Sequence, residues 1–181
     1  MDATFCSAET VDGGGNCTNS EARDGSRGIA GTNDITPGDV VPLSPRHTFK
    51  FHVEFSPIKR LTLGVEGVTA SGMYARGNEN NQHQPDGVYY LGPGKTDAYT
   101  TFAIRSAYLL PKGMEVFVWI DNLFDKRYAT SAQLAGTGFD PNGNFVARPL
   151  PAVNGAFPVR RATFYSPGAP RGIYGGVQLR F

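Results

Sequence analysis

The alternation of apolar and polar residues with a period of two is the feature that most limits how this chain can fold. Over residues 115–121 the side chains of Val116, Val118 and Ile120 share one face of an extended chain. Side chains of a β-strand alternate between two faces, whereas those of a helix return about every 3.6 residues. The same period runs through residues 172–181 to the final Phe181. Both stretches are therefore predicted to be β-strands, the second held in a sheet to its end.

Three further stretches, residues 49–55, 61–73 and 99–109, show the same alternation and are also predicted strands. Short turns lie within residues 56–60 and 110–113, whereas the other connections are long and rich in Gly, Pro and Asn: residues 1–45, 77–97 and 129–171. In an antiparallel meander successive connections lie at opposite ends, so the long ones would gather at one end. The prediction is an all-β, antiparallel up-and-down meander of about five strands.

This asymmetry of connections is typical of outer-membrane barrels, which have short turns on one side and long loops on the other. The chain has no run of about 18 apolar residues, which excludes a transmembrane helix, but a barrel strand needs only about 10 residues. Five strands cannot close a barrel, since the smallest have about eight. The fold is therefore predicted to be a partial segment of a large transmembrane β-barrel, with residues 1–45 as a long extracellular loop and residues 46–181 as the C-terminal strands.

Charge and motif content exclude several function classes. The 17 basic and 16 acidic residues nearly balance, so no field of one sign would attract nucleic acid. The stretch Gly92–Thr96 lacks an earlier Gly that a phosphate loop needs, and Asp140–Asn144 is followed by Phe145 where a calcium loop needs Gly. The histidines are scattered, and no catalytic constellation can be assembled. We expect no enzyme, no metal and no cofactor.

The only two cysteines, Cys6 and Cys17, lie in a loop-like stretch with little else to hold it together. In an oxidising compartment they would form a disulfide, contributing about 3 kcal/mol in the chain-entropy model; two free thiols are the alternative. The first five residues lack the basic start and apolar segment of a signal peptide. Either the protein is not exported or an N-terminal part is missing.

Two separated motifs carry a family resemblance. Residues 122–128 read Asn-Leu-Phe-Asp-Lys-Arg-Tyr, and after a long irregular stretch residues 165–172 read Tyr-Ser-Pro-Gly-Ala-Pro-Arg-Gly before the last strand. From about residue 37 to Phe181 the chain resembles the C-terminus of TonB-dependent outer-membrane receptors. The resemblance implies import of a scarce nutrient, commonly a ferric siderophore, in the bacterial outer membrane. It also implies an N-terminal plug domain that contacts the TonB complex, and barrel-assembly machinery that reads the aromatic end at Phe181.

Two sets of candidate site residues follow from this expectation. Polar-face residues of the strands are predicted to line the barrel lumen, where they bind the plug or, alternatively, form a substrate path: His52, Glu66, Arg105, Glu115, Trp119 and Arg180. Aromatic and arginine side chains of the long loops are predicted ligand contacts, with ordinary loop residues as the alternative: Tyr89, Tyr90, Phe139, Phe145, Arg148, Phe157, Arg160 and Arg161.

Two structural hypotheses concern side-chain contacts and the overall architecture. Asp125 and Arg171 flank the last long loop at the same end of adjacent strands, which predicts a cross-strand ion pair. The competing architecture is a secreted β-sandwich that binds a ligand, in which the apolar faces pack against each other. Phe51, Val118 and Leu179 would be buried in such a sandwich but exposed on a barrel wall.

Overall fold

The computed structural model describes residues 3–6, 32–85, 87, 90–146 and 160–179, with the backbone alone described at 3–6, 32–34 and 160. These residues form β-strands and one short 3-10 turn, Pro111–Gly113. The strands are β1 (Ala3–Cys6), β2 (Thr32–Ile35), β3 (Thr48–Ile58), β4 (Leu61–Ala70), β5 (Tyr90–Leu91), β6 (Tyr99–Leu109), β7 (Met114–Asp121), β8 (Ala129–Thr137), β9 (Arg160–Pro167) and β10 (Gly172–Leu179). No helix in the described ranges has the length and apolar composition needed to cross a membrane.

The chain divides into two compact units. The first, called here the sheet unit, comprises residues 45–72, 97–128 and 167–181. The second, called here the loop unit, comprises Met1–Ser44, Met73–Thr96 and Ala129–Ser166. Each unit is described by itself below.

The sheet unit is a five-stranded antiparallel sheet in the order β3, β4, β6, β7, β10. Neighbours in the sheet are also successive within the unit, so the sheet is an up-and-down meander, and the predicted fold class is confirmed. The register places one apolar residue of every strand in a single row across the sheet: Val53, Val65, Ile104, Ile120 and Ile173.

The apolar face of this sheet is exposed. Phe51 is 36% exposed, Val118 46% and Leu179 55%, and Phe49, Val53 and Ile173 are more than half exposed. A closed hydrophobic core would bury these side chains, as the sandwich hypothesis requires. Contiguous apolar surface of this extent is unusual on a soluble monomer and marks a face that meets lipid or a partner.

Connections of different length leave from opposite ends of the sheet. The turn at residues 59–60 joins β3 to β4, and Pro111–Gly113 joins β6 to β7 at the same end, where Leu61 pairs with Tyr108. At the other end Thr48 pairs with Ala70, and Ala70 with Tyr99. All long connections begin there, as the sequence predicts.

The long connections contain more regular structure than expected. Residues 1–45 are predicted as one loop, yet β1 pairs antiparallel with β2. Residues 129–171, also predicted as loop, contain β8 and β9, which form a three-stranded sheet with β5. Conversely, β4 ends at Ala70 rather than Met73. Its pairing with the chain before β3 closes through two hydrogen bonds, from the Ser71 N–H to the His47 carbonyl and from the His47 N–H to the Ser71 hydroxyl.

The loop unit has a small buried core of its own, formed by Ala75, Tyr90, Ala132 and Leu134. Asn78 is 1% exposed and holds two segments together. Its Oδ1 accepts the His83 backbone N–H at 3.1 Å, and its Nδ2 donates to the Gly94 carbonyl at 3.0 Å. Burial of this core and the hydrogen bonds of the buried Asn78 therefore hold the unit together.

Candidate functional site

The polar face of the sheet carries a chain of side-chain contacts that reaches across all five strands. It starts at His52 on β3 and passes through Glu66, Arg105 and Trp119 to Tyr174 on β10. Period-two alternation places each residue on this face, and the register places it beside the next: His52 is opposite Glu66, and Arg105 is opposite Trp119. We call these five residues the wall network.

Glu66 is the electrostatic centre of the wall network. Arg105 Nη2 donates a hydrogen bond to Glu66 Oε2 at 3.1 Å, and Arg105 Nε lies 2.7 Å from Oε1 in an ion-pair contact outside hydrogen-bond geometry. On the other side His52 Nδ1 lies 3.2 Å from the same Oε1, and His52 Nε2 lies 3.9 Å from Glu54. Since Glu66 is 30% and Arg105 40% exposed, solvent screens the pair and each interaction is modest.

Aromatic rings continue the wall network toward β10. The Arg105 guanidinium carbon lies 3.7 Å from the centre of the Trp119 ring, which is cation–π geometry. The indole N–H of Trp119 donates to Asp121 Oδ1 at 2.6 Å, and the ring centre is 6.0 Å from that of Tyr174. Tyr174 and Asp121 are contributors that the sequence reading did not name as site residues, although their parity in the alternation places them on this face.

The wall network presents paired charges and aromatic rings on one partly exposed face. Glu115 lies on the same face and pairs in register with Gln178. Arg180, the last predicted wall residue, lies outside the described residues.

Two predicted ligand contacts stand together at an exposed hairpin tip in the loop unit. Phe139 and Phe145 pair across the hairpin, and their rings meet edge to face at 6.1 Å. Asp140 fixes the turn between them, because its carboxylate accepts the backbone N–H groups of Asn142 at 2.9 Å and of Asn144 at 2.8 Å. The rings are 49% and 73% exposed, so a rigid turn presents an aromatic pair to solvent.

The other predicted ligand contacts are placed differently. Tyr90 is 8% exposed and packs in the core of the loop unit, with its ring 6.1 Å from that of His83. Arg161 on β9 pairs in parallel with Tyr90, and Arg160 begins the same strand. Tyr89, Arg148 and Phe157 lie outside the described residues. A ligand role for all of these stays a prediction.

The motif at residues 122–125 forms a turn after β7, closed by a hydrogen bond from the Asp125 N–H to the Asn122 carbonyl at 2.8 Å. Asn122 and Asp125 have φ angles of 46° and 51°, a region that Asn and Asp tolerate better than most residues. The Leu123 N–H donates to the Phe102 carbonyl at 2.8 Å, and the Phe124 ring packs edge to face on Phe102 at 5.7 Å. Through these two contacts with Phe102, the turn lies across the end of β6.

The predicted ion pair between Asp125 and Arg171 is replaced by a different contact. No ion pair within 4.0 Å joins their side chains in the part of the chain described. Instead, Asp125 Oδ1 accepts the backbone N–H of Arg171 at 3.0 Å. The two residues meet as predicted, but the carboxylate uses the amide because that group is fixed at the start of β10.

Most of the remaining predicted site residues lie outside the described residues. Cys17 and Phe181 are outside the described residues, and Cys6 is described only as backbone in β1. The disulfide and the terminal assembly signal stay predictions. No cluster of three or more potential metal ligands occurs among the residues with described positions.

The structure thus defines a class of protein before any comparison: an antiparallel meander with one apolar and one polar face. No family model matches the chain, and no curated protein matches it. Among solved structures it is similar to the ferric-catecholate import receptor Fiu from E. coli K12 in its open form, with 16% identity and a TM-score of 0.46. It is also similar to the ferric yersiniabactin uptake receptor FyuA from Yersinia pestis (16%, 0.48) and the siderophore receptor PiuA from Acinetobacter baumannii (14%, 0.46).

The alignments cover most of this chain but little of the receptors. They include 75%, 82% and 97% of this chain and 15%, 19% and 17% of Fiu, FyuA and PiuA respectively. The chain therefore spans less than a fifth of each receptor.

Proposed function

We propose that this chain forms the C-terminal strands of a TonB-dependent receptor that imports a ferric siderophore through the bacterial outer membrane. One observation carries the proposal: a five-stranded meander with an exposed apolar face, a polar network on its opposite face, and all long connections at one end. Lipid outside and a hydrated lumen inside account for both faces, and external loops account for the asymmetry of connections.

Further strands complete the barrel in this proposal. In the described sheet, β3 and β10 are the edge strands, and every residue of β3 is exposed. Unpaired N–H and C=O groups in hydrocarbon cost several kcal/mol each, so a lipid-embedded sheet must be closed by other strands. Lipid thus contacts the apolar face, and barrel-assembly machinery inserts the closed structure.

The wall network receives the plug domain in this proposal. It offers a carboxylate, a guanidinium and two aromatic rings on one continuous surface, which suits a folded polar partner that fills the lumen. The plug in turn couples to the TonB complex, so transport is gated passage without chemical conversion of the ligand. A substrate path along the same surface is the alternative role.

The aromatic hairpin tip contributes to ligand capture. Phe139 and Phe145 present rings at a rigid turn, and aromatic rings stack on flat or ring-bearing ligands. Tyr89, Arg148, Phe157, Arg160 and Arg161 complete the proposed contact set, with the arginines pairing with anionic groups of the chelate. Tyr90, which is 8% exposed, supports this set from the core of the loop unit.

Import is tested with the complete reading frame that contains these residues. Deleting it should abolish growth of iron-limited cells on one or more ferric siderophores, and the product should fractionate with the outer membrane. Unchanged growth on every chelate tested, together with recovery of the product in the soluble fraction without detergent, would refute the proposal and favour the sandwich.

The ligand contacts are tested separately by uptake of radioactive iron on the chelate identified above. The double substitution F139A/F145A should reduce apparent affinity about tenfold, because two exposed aromatic anchors are lost. Phe164 is 42% exposed and lies outside the predicted set, so F164A is the matched control. Equal effects of both would remove the hairpin from the ligand site.

A further inference from the structure

The turn after β7 is tied to the segment before β10 by side chains that belong to neither face of the sheet. We infer that Asn122 and Asp125 form a register clamp, which fixes the pairing of β10 with β7 from the long-loop end of the sheet. The inference concerns strand pairing in this chain and is independent of which ligand the protein imports.

The apolar face of the sheet does not by itself specify one register. A slip of one residue turns every side chain of β10 to the wrong face, whereas a slip of two residues keeps each on its own face. In the observed register Val177 is opposite Val116. After a two-residue slip Val177 would be opposite Val118, again apolar beside apolar, and Gly175 on the same face lacks a side chain that could oppose the slip. On the polar face the Phe117 ring lies over Gly176 and the Trp119 ring lies near Tyr174, so the clamp adds to contacts that favour the observed register.

The clamp holds two points of the segment that leads into β10. Asn122 is 6% exposed, and its Nδ2 donates to the carbonyl oxygens of Lys126 and Ala169, each at 2.9 Å. Asp125 Oδ1 accepts the N–H of Arg171 at 3.0 Å. A two-residue slip breaks both contacts and leaves part of a buried amide without its partner, which is costlier than losing an exposed hydrogen bond.

A third contact limits the size of the residue at position 168. The Gly168 N–H donates to the Tyr128 carbonyl at 2.8 Å, and a Cβ at Gly168 would overlap the Tyr128 ring. That ring packs against Tyr99, with ring centres 4.4 Å apart and planes tilted by 33°. A larger residue at position 168 would therefore have to displace the Tyr128 ring from Tyr99.

The clamp also acts across a long connection. The chain between Asp125 and Gly168 contains β8, β9 and the hairpin of the loop unit, so the ends of β7 and β10 are far apart in sequence. Contacts at the mouth of this connection fix the strand ends whatever conformation the intervening residues have. The register of β7 and β10 therefore does not depend on the sequence of this connection.

Disulfide trapping in the complete reading frame, expressed in intact cells in a C6S/C17S background, tests the clamp. The pair V116C/V177C reports the observed register, and V118C/V177C reports the two-residue slip. Both pairs are compared in the parent and in N122G/D125G. Glycine accepts the positive φ at both positions, so N122G and D125G remove the side-chain hydrogen bonds without adding backbone strain.

The clamp predicts that the ratio of slipped to observed crosslinks rises about tenfold in N122G/D125G, because a buried amide and a carboxylate contact are lost. D125N keeps an acceptor and should give a ratio between that of D125G and that of the parent. D39A is the control, since the Asp39 carboxylate accepts the Thr36 N–H at 2.7 Å within the loop unit.

An unchanged ratio in N122G/D125G, or an equal rise in D39A, would overturn the inference. Should the double variant fail to assemble, D125G alone decides in the same way, since it removes one exposed acceptor and glycine accepts the positive φ. Crosslinking is read whether or not the cells import iron, so this result is separate from that of the growth experiment.

Discussion

The sheet unit and the loop unit place their apolar side chains in opposite ways. In the sheet unit Phe49, Val53 and Ile173 are more than half exposed, and the residues buried in it are few. In the loop unit Ala75 and Leu134 are buried, together with polar groups such as Asn78. The exposed apolar side chains of the sheet unit suit an apolar surrounding, whereas the buried apolar core of the loop unit suits water. The two units of one chain therefore show opposite burial patterns.

The difference also shows in what holds each unit together. The sheet unit depends on backbone pairing and on the clamp and wall network, whereas the loop unit depends on side chains that satisfy buried backbone groups. Substitutions that alter one kind of interaction should therefore affect the two units unequally. Four predictions test this contrast, in order of decreasing effect.

A charge placed on the apolar face should have the largest effect. Ile104 and Ala103 are neighbours on β6 but face opposite sides, with Ala103 paired in register with Glu66. I104K should lower the stability of the assembled protein by about 2 to 4 kcal/mol, as for a lysine facing the middle of a bilayer. A103K should be tolerated. Heat-modifiable mobility in gels measures the folded fraction, and equal losses in both variants would contradict a lipid-facing side.

Removing the central amide of the loop unit should disorder that unit and spare the sheet. N78A deletes hydrogen bonds to His83 and Gly94 in a buried site, at a cost of about 1 to 3 kcal/mol. Limited proteolysis should then cut within residues 73–96 much faster than in the parent. Folded mobility in gels should persist, and its loss would show that the two units do not differ in this way.

A methyl group added to one glycine of β4 should distinguish the two faces of the sheet. A Cβ at Gly67 would overlap the Phe51 ring, whereas a Cβ at Gly64 would lie 3.6 Å from Arg105 Cβ in ordinary contact. G67A should therefore cost about 1 to 2 kcal/mol through overpacking, and G64A much less. Urea unfolding in detergent micelles gives both values. A smaller ring in F51L/G67A should recover part of the loss.

The ion pair of the wall network should give the smallest effect. A double-mutant cycle with E66Q and R105Q isolates their coupling, which we expect to be about 0.5 to 1 kcal/mol because both groups are partly exposed. The coupling should weaken at high salt. A coupling of zero at low salt would show that the contact between Glu66 and Arg105 does not stabilise the folded protein.

The sheet could be predicted from sequence because strand parity and an exposed apolar face leave a strong pattern. The alternation of residues such as Val116, Val118 and Ile120 shows directly which side chains share a face. The short turns show which strands are neighbours in the sheet. The loop unit could not be predicted in the same way, because β8 and β9 are ordered by contacts with β5 and with residues distant in sequence. Asn78 illustrates this, since nothing near it in sequence shows that it will be buried.

The sites were predictable to different depths. Parity placed His52, Glu66, Arg105 and Trp119 on one face, but their mutual contacts depend on register. Asp125 was correctly expected near Arg171, while the choice of amide over guanidinium depends on backbone geometry that sequence separation does not encode. The role of Asn122 was not visible at all, because it requires a positive φ and a partner at Ala169.

The closure of the sheet before its long connections begin has a consequence for how such a protein can diversify. Ser71 forms hydrogen bonds with His47 at one pair of strand ends, and Asp125 forms one with Arg171 at another. We expect the connections beyond these hydrogen bonds to accept replacement or lengthening while the strands of the sheet stay paired. Changes in these connections can thus be accepted without a change in the pairing of the sheet.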